Sequence, residues 1–481
     1  MDVDNNVKKD LSFSKLTALI IGSTIGGGIF TSAGDMAANG AHTGAVLIGW
    51  AIAGVGMLGL MMCFFGLNQK KPELTNGIYS YANAGFGSFI GFNSAWGYWI
   101  SALLCNVSYT TLLFGAIGFF FPAFADGNNL LSICCASVAI WGINFLVLRG
   151  VKEAAAVNVI TTISKIIPIV VFIIALIFLR AFDTTIFMQN FWGDGTVSLG
   201  TQVKATTAST VWSFIGVEGA VVLSGRAKVS GDVGKASMTG FLGLLAIYVM
   251  VAVLSMGVMP AEEMAALKNP QMAGILSSVV GEWGAMLVNI GVILSLAGAL
   301  LGWTILAADC PFSAAQQGVF MKAFAKSNKH GSPAFSLFAT NGIVQLFIII
   351  IYFNSSTYQI FYTMSTTMIM IPYLFSALYY EQITRKRIGF ENSTKKEYAI
   401  ARTFAIIGSV YGIWMLYSSG LHQLLITSVL YALGIIIYAK GKKEKGRPVF
   451  EAKYEMVIAA GIVIAAVVSI VLIANGTIDP F

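Results

Sequence analysis

Three consecutive glycines, Gly26, Gly27 and Gly28, lie in an apolar stretch that is long enough to cross a membrane, which takes about 20 residues. Glycine costs about 1 kcal/mol relative to alanine in a helix, so the triplet predicts a helix break. A break at membrane depth is tolerated where its N–H groups face a cavity or a ligand. Because these groups lie at the positive end of the following half-helix, they predict a carboxylate site formed by Ile25 and the three glycines. Close helix packing through small residues is the alternative.

Two ionisable residues, Glu218 and Lys165, also lie inside apolar runs. A charged group in a span is costly unless it is paired, which makes each a functional candidate. Glu218 follows a second glycine interruption at Gly216, where its carboxyl group could bind a cationic ligand or a proton. A structural hydrogen bond between helices is the alternative. Lys165 lies about 18 Å into its span at about 1.5 Å per residue, too deep for snorkelling to an interface. We expect its ammonium group to donate to carbonyls of the broken first helix.

The remaining candidates are acids and aromatic residues. Asp35 and Asp309 either steer a cation or pair with neighbours, and the sequence leaves both options open. Aromatic residues in spans usually anchor at the interface or pack, but an indole face also attracts a guanidinium or ammonium group by about 0.5–2 kcal/mol. The aromatic candidates are Trp96, Tyr98, Trp99, Trp212, Trp303, Tyr362 and Tyr373.

The composition indicates the solvent that surrounds these candidates. The chain is 57% hydrophobic and 11% charged, with a mean hydropathy of +0.78, whereas soluble domains carry about 25% charged residues. Lipid must therefore cover most of its surface. No cleavable signal peptide is recognisable, and the five cysteines fall inside spans without the spacing of metal ligands or disulfides. We expect no metal site and no cofactor.

The apolar runs predict an all-α integral membrane protein with about 13 transmembrane helices. With the N-terminus in the cytoplasm, nearly all of the 29 lysines and arginines fall on the cytoplasmic side, as the positive-inside rule requires. The net charge of +7 therefore reflects topology and not nucleic-acid binding, and the odd number of spans puts the C-terminus outside. The runs are 14–38, 43–67, 86–121, 130–149, 154–179, 205–225, 235–259, 283–316, 334–353, 356–384, 400–419, 421–439 and 455–475.

The two glycine interruptions fall in the first and sixth runs, which suggests an internal duplication. Glycine-broken helices at matching positions of two halves are typical of an inverted-repeat transporter with its site at the repeat interface. The interval of five spans is odd, so the second copy would enter the membrane from the opposite face. The predicted segments are a cytoplasmic N-terminal segment 1–13, a first repeat 14–179, an inverted second repeat 205–384, helices 11 and 12 at 400–439 and an extra helix 455–475.

Several motifs support a relationship to one family. Ile21–Phe30, Lys71–Tyr81 and Trp212–Glu218 resemble the amino acid–polyamine–organocation superfamily, and within it the bacterial basic amino acid/polyamine antiporters. Trp96–Trp99, Leu148–Ala154 and Gly302–Ala308 look most like the arginine:ornithine branch of that family. The resemblance implies a five-plus-five inverted-repeat fold with discontinuous helices 1 and 6, in a bacterial inner membrane. It also implies exchange of arginine for ornithine or a related amine, with lysine/cadaverine or histidine/histamine exchange as alternatives.

The resemblance also assigns roles to single residues. Glu218 would gate or couple transport, and Lys165 would stand where sodium-coupled relatives hold sodium, which implies sodium-independent transport. Carbonyl groups near Trp212 and Ile215 would accept from the substrate's α-ammonium group. The residues implied for the amine and side-chain cavity are Tyr98, Trp212, Ile215, Trp303 and Tyr362.

The motifs that the sequence lacks narrow its chemistry. It has no Walker-type phosphate loop, so we expect a gradient and not ATP to drive transport, and none of the common catalytic sets, so we expect no enzyme. A proton-coupled importer of cationic amino acids is the nearest rival, and a channel or receptor a more distant one, since no repeated filter motif is present. The expected partners are amino acid and amine substrates and the lipid bilayer, with a homodimer as one arrangement of the protein.

Overall fold

The computed structural model describes residues 13, 17, 21–22, 24–74, 78–150, 154–218, 230–354 and 357–480. Some sequence predictions fall outside these residues. They concern nearly all of the N-terminal segment 1–13, the motif residues Ser23, Thr75–Gly77, Val151–Glu153 and Gly219, and the basic residues Lys8, Lys9, Lys15, Arg226 and Lys228.

Every regular element in the described part of the chain is helical. Short 3₁₀ turns lie at Pro122–Phe124 and Lys322–Ala325. The α-helices are α1 (Gly28–Ala38), α2 (Thr43–Lys70), α3 (Ile78–Phe120), α4 (Leu130–Leu148), α5 (Ala154–Phe178), α6 (Thr184–Met188), α7 (Leu199–Ala205), α8 (Thr207–Phe214), α9 (Ser230–Val258), α10 (Ala261–Ala265), α11 (Gln271–Val280), α12 (Glu282–Gln316), α13 (Ala334–Asn354), α14 (Tyr358–Arg385), α15 (Lys395–Lys443) and α16 (Lys453–Ala474).

Within the described ranges, 9 helices are long and apolar enough to cross a membrane. They are α2, α3, α4, α9, α12, α13, α14, α15 and α16. One of them, α15, contains two predicted spans, 400–419 and 421–439, which meet at a kink where Gly420 has φ 75°. The apolar part of α5, Ile163–Phe178, is shorter, and the first and sixth predicted spans are interrupted. The prediction of an all-α membrane protein is confirmed.

The third span differs from its prediction at its start. The apolar run predicts a helix from residue 86, but α3 begins at Ile78 and passes through a kink at Gly87, which has φ 82° and ψ 175°. Glycine adopts this positive φ without steric cost, so the chain can turn there and continue as a helix. The hydropathy pattern missed the leading turns because they are less apolar than the span that follows.

Most buried apolar side chains of the described residues form one large cluster, and a smaller cluster lies at Val147, Ala308 and Leu337. The centre is formed by α3, α12 and α14, and α15 lies against α2 and α14. The last helix, α16, packs against α15 and leaves side chains such as Val457 and Ile464 exposed to the surroundings. The two interrupted helices pack directly against each other, since α1 contacts α8. This contact forms the candidate functional site.

Candidate functional site

The first interruption lies at the glycine triplet, as the sequence predicts. The Ile25 N–H donates to the Ile21 carbonyl over 3.1 Å, and α1 begins only at Gly28. No residue in the described ranges accepts a hydrogen bond from the N–H of Gly26, Gly28 or Ile29, and no side chain caps α1. Among the described residues these N–H groups therefore have no acceptor, and they lie at the positive end of α1, where an anion is stabilised.

The glycines allow neighbouring elements to approach the broken backbone closely. A Cβ at Gly26 would lie 2.7 Å from the Tyr109 hydroxyl oxygen, and one at Gly28 would lie 3.0 Å from the Ser213 Oγ. A Cβ at Gly27 would lie 3.4 Å from the Trp212 ring. Close packing, which the sequence treats as the alternative to ligand binding, therefore occurs at these glycines and does not exclude a ligand at their N–H groups. Sequence reasoning missed Tyr109, because nothing in its continuous span distinguishes it from a packing tyrosine.

The second interruption follows α8. The Ile215 N–H donates to the Val211 carbonyl over 3.0 Å and lies 3.4 Å from the Trp212 carbonyl oxygen. Gly216 has φ 104°, a left-handed conformation that favours glycine, and turns continue to Glu218. The carbonyl groups near Trp212 and Ile215, which are predicted to accept from an α-ammonium group, thus lie at the C-terminal end of the half-helix α8. This end carries partial negative charge.

Trp212 joins the two interruptions to a stack of aromatic rings. Its indole is stacked on Tyr362, with ring centroids 4.6 Å apart and planes at 13°, and lies 5.8 Å from the Tyr109 ring. The Trp212 Nε1 is buried, yet no described residue accepts its hydrogen. The hydroxyl groups of Tyr362 and Ser209 share a hydrogen bond of 3.2 Å. Trp212 and Tyr362, both predicted site residues, therefore lie together beside the glycine triplet.

Trp303, predicted for the same cavity, lies on α12 and is buried. Its ring makes no stacking or edge contact with another ring in the described part of the chain. The next residue, Thr304, accepts a hydrogen bond of 3.3 Å from the Asn106 Nδ2 of α3. Thr304 thus joins this part of α12 to the third span, whereas the Trp303 ring takes no part in the described ring contacts of Trp212.

Glu218 is buried and holds together three segments. Its Oε2 accepts from the Tyr373 hydroxyl over 2.6 Å and from the Gly216 N–H over 3.0 Å. Its Oε1 accepts from the Tyr98 hydroxyl over 3.1 Å. No lysine or arginine among the described residues forms an ion pair with it. Tyr98 was a predicted site residue, whereas Tyr373 was noted only as one of several aromatics, because sequence does not reveal which ring faces Glu218.

Lys165 reaches the carbonyl side of the first interruption. Its Nζ donates to the Ile25 carbonyl over 2.7 Å and also to the Gly22 carbonyl, and the residue is only 5% exposed. These carbonyls end the half-helix that precedes the break, and such groups lack partners within the helix. The lysine ammonium group supplies the hydrogen bonds and places a positive charge at the negative end of that half-helix.

The two remaining acidic candidates, Asp35 and Asp309, differ in their surroundings. Asp35, on α1, is fully buried, and its Oδ1 accepts from the Tyr358 hydroxyl and from the side-chain amides of Gln359 (2.6 Å) and Gln271 (3.3 Å). Its Oδ2 has no hydrogen-bond partner in the described ranges. Asp309 is exposed, and among the described residues it accepts only from the Ser313 hydroxyl of its own helix, over 3.4 Å. Asp35 therefore links α1 to α11 and α14, whereas the described hydrogen bond of Asp309 stays within α12.

Comparisons with known proteins find relatives that match nearly the whole chain. The sequence model of a family described as amino acid permease matches residues 11–439. The chain is 46% identical to the arginine/ornithine antiporter of Pseudomonas aeruginosa over 98% of both chains. It is 39% identical to the arginine/agmatine antiporter of Chlamydia pneumoniae, again over 98% of both chains. It is 38% identical to a putative arginine/ornithine antiporter of Escherichia coli K12, over 96% of this chain and 98% of the relative.

Proposed function

Because this chain belongs to the amino acid permease family, we propose that it is a secondary active antiporter. It exchanges arginine, a cationic amino acid, for ornithine or a related amine by alternating access. Relatives of matching length that are named arginine/ornithine and arginine/agmatine antiporters support this proposal. The protein is a transporter and not an enzyme.

The observation that carries the proposal is the meeting of the two interrupted helices at Trp212. The substrate's α-carboxylate binds backbone N–H groups at Gly26, Gly27 and Gly28, with Ile25 at the edge of the site. The α-ammonium group binds carbonyl groups near Trp212 and Ile215. The guanidinium group lies along the aromatic walls formed by Trp212, Tyr362, Tyr98 and Trp303, where an indole face stabilises a cation.

Glu218 and Lys165 couple substrate binding to movement. Glu218 connects the second interruption to Tyr98 and Tyr373, so a nearby cation changes the balance of these hydrogen bonds. Lys165 provides a fixed positive charge at the first interruption, which makes transport independent of sodium. Repeats 14–179 and 205–384 move relative to each other around the site. Asp35 pairs with neighbouring donors at the outer half of α1, and Asp309 remains a candidate for steering a cation.

A second candidate for the exchanged amine is agmatine, because a relative 39% identical over 98% of both chains is named an arginine/agmatine antiporter. Three more functions compete with arginine/ornithine exchange: exchange of lysine for cadaverine, exchange of histidine for histamine, and proton-coupled import of arginine. The competing functions differ in which internal compound supports arginine uptake.

Counterflow in proteoliposomes tests the proposal. Vesicles are loaded with ornithine, agmatine, cadaverine, histamine or buffer, and uptake of labelled arginine is measured without sodium. We expect uptake with internal ornithine and almost none into buffer-loaded vesicles. Equal uptake into empty vesicles under a pH gradient would favour an importer. Support by histamine or cadaverine but not by ornithine would overturn the assignment of ornithine, and no arginine uptake under any loading would overturn the assignment of arginine.

A matched pair of variants links the flux to the site. Trp212→Leu removes an indole worth about 0.5–2 kcal/mol to a bound cation, which corresponds to a loss of arginine affinity of about 2- to 30-fold. Trp283→Leu, at a tryptophan that is 53% exposed at the start of α12, serves as the control. Equal losses in both variants would argue against a cation site at Trp212.

The setting of the protein is part of the same proposal. It is a multi-pass membrane protein, and we infer a bacterial cell membrane because the relatives are bacterial. The distribution of basic residues puts the N-terminus in the cytoplasm and the C-terminus outside. A homodimer is the proposed assembly. Labelling of single cysteines introduced in the terminal segments tests the orientation, and mass measurement in detergent tests the assembly.

A further inference from the structure

A lipid-facing groove lies between the second half of α15 and the last helix, α16. Its volume is 790 Å³. The walls are formed by apolar side chains of both helices, and several of these, among them Leu433 and Ile436, are more than half exposed. The groove lies far along the chain from Gly26–Gly28 and Glu218, and the proposed transport cycle does not use it. The main lining residues are Val429, Leu433, Ile436, Val463, Ala466 and Ile470.

One end of the groove carries two lysines, Lys440 and Lys443. They are three residues apart on one helix, a spacing that puts two side chains on the same face. Both are exposed, and neither forms an ion pair with a described residue. Their neighbour Lys442 differs, because it is 4% exposed and donates to Glu451 and to the Ser88 Oγ over 2.8 Å. The fold therefore neutralises Lys442 internally and leaves two positive charges at the mouth of the groove.

The acid at this end does not cancel the two charges. Glu444 also lines the groove, but its Oε2 accepts a hydrogen bond of 2.8 Å from the backbone N–H of Lys322. This bond holds the carboxylate against the turn at Lys322–Ala325. With one acid and two lysines, the mouth keeps a net positive charge.

We propose that this groove binds an anionic phospholipid, with the phosphate at Lys440 and Lys443 and an acyl chain along the apolar walls. The charge and the apolar surface are complementary to the two parts of such a lipid, since basic residues at a membrane surface attract anionic headgroups. The stretch from Val429 to Lys443 is about 21 Å long at about 1.5 Å per residue. One leaflet of a hydrocarbon core about 30 Å thick is about 15 Å deep, so the groove accommodates a chain over the whole leaflet.

Retention of defined lipids by the purified full-length protein tests this proposal. The detergent-solubilised protein is incubated with phosphatidylglycerol or with phosphatidylcholine of the same acyl chains, and bound lipid is counted by native mass spectrometry. We expect preferential retention of phosphatidylglycerol. Lys440→Gln/Lys443→Gln should weaken this retention by about 30-fold, because each basic residue near an anionic surface contributes about fivefold. Lys395→Gln/Lys396→Gln, at two exposed lysines on the first turn of α15, should leave retention unchanged.

The apolar part of the site is tested separately. Val463→Trp fills the groove from α16 and should reduce retention, whereas Val457→Trp, on the same helix but outside the groove and 70% exposed, should not. Equal retention of the two phospholipids, or an unaffected Val463→Trp variant, would overturn the proposal. So would displacement of the lipid by inorganic phosphate at equal concentration, because it would reduce the site to a headgroup contact. A dimer that dissociates in the groove variants would instead identify a second copy of the chain as the occupant.

Discussion

Replacement of Glu218 by glutamine tests the effect of its charge separately from the effect of its hydrogen bonds. The carboxylate accepts from the hydroxyls of Tyr98 and Tyr373 and from the N–H of Gly216. In Glu218→Gln, the amide oxygen can keep the two bonds at Gly216 and Tyr373, and the amide nitrogen can donate to the Tyr98 hydroxyl, which rotates to accept. The glutamine variant therefore retains the connections between segments and loses only the negative charge.

The expected loss of stability differs between the glutamine and the alanine variant. Glu218→Ala leaves three buried donors without an acceptor, at about 1–3 kcal/mol each, so we expect a loss of about 3–9 kcal/mol in stability and poor folding. Glu218→Gln makes three charged hydrogen bonds neutral, at about 1 kcal/mol each, and removes a buried charge, so it should lose less than about 3 kcal/mol. Thermal unfolding of both variants in detergent measures this contrast.

Arginine exchange then distinguishes a coupling role from a structural one. If the negative charge attracts the cationic substrate, Glu218→Gln folds but exchanges arginine at least about tenfold more slowly, since a difference of about 1.4 kcal/mol is tenfold. Counterflow in ornithine-loaded vesicles gives the rate. A glutamine variant that exchanges at the wild-type rate would refute the coupling role and leave Glu218 as an interhelical hydrogen-bond acceptor.

Three further predictions follow from single contacts. Gly26→Ala should raise the KM for arginine by about tenfold because its Cβ meets the Tyr109 hydroxyl, whose removal in Gly26→Ala/Tyr109→Phe should restore the KM; no recovery would argue against this contact. Lys165→Met leaves two carbonyls unpaired and should abolish exchange, and wild-type exchange measured with and without sodium should be equal; a sodium requirement would contradict the fixed-charge role. Hydrogen bonding to Lys442 lowers the pKa of Glu451 from 4.5, so this acid contributes stability above pH 4.5 that is lost as the pH falls through its lowered pKa. Glu451→Gln should remove this part of the acid-side loss in thermal unfolding curves, and identical pH dependence of both proteins would exclude the contribution.

Much of the architecture could be predicted from local sequence. The membrane setting depends on composition, and the helix break depends on the propensity of Gly26–Gly28 themselves. The division of the run after residue 400 into two spans at Gly420 was also predicted from local sequence. The structure has a kink there, with Gly420 at a positive φ. The early start of α3 at Ile78 was not predicted, because the turns before Gly87 are less apolar and their position depends on packing.

Identifying the residues of the site required both the sequence and the tertiary structure. Sequence by itself determined that this chain lies in lipid, that its helices are broken at Gly26–Gly28 and near Gly216, and that Glu218 and Lys165 are buried ionisable groups, because these properties depend on residue type and near neighbours. Only the tertiary structure decided that Trp212 stacks on Tyr362, that Tyr109 faces Gly26 and that Tyr373 binds Glu218. It also separated Asp35, which is buried among donors from two other helices, from Asp309, which is exposed. The physical reason is that the rotation and depth of each helix are set by packing against distant segments, and these decide which side chains meet.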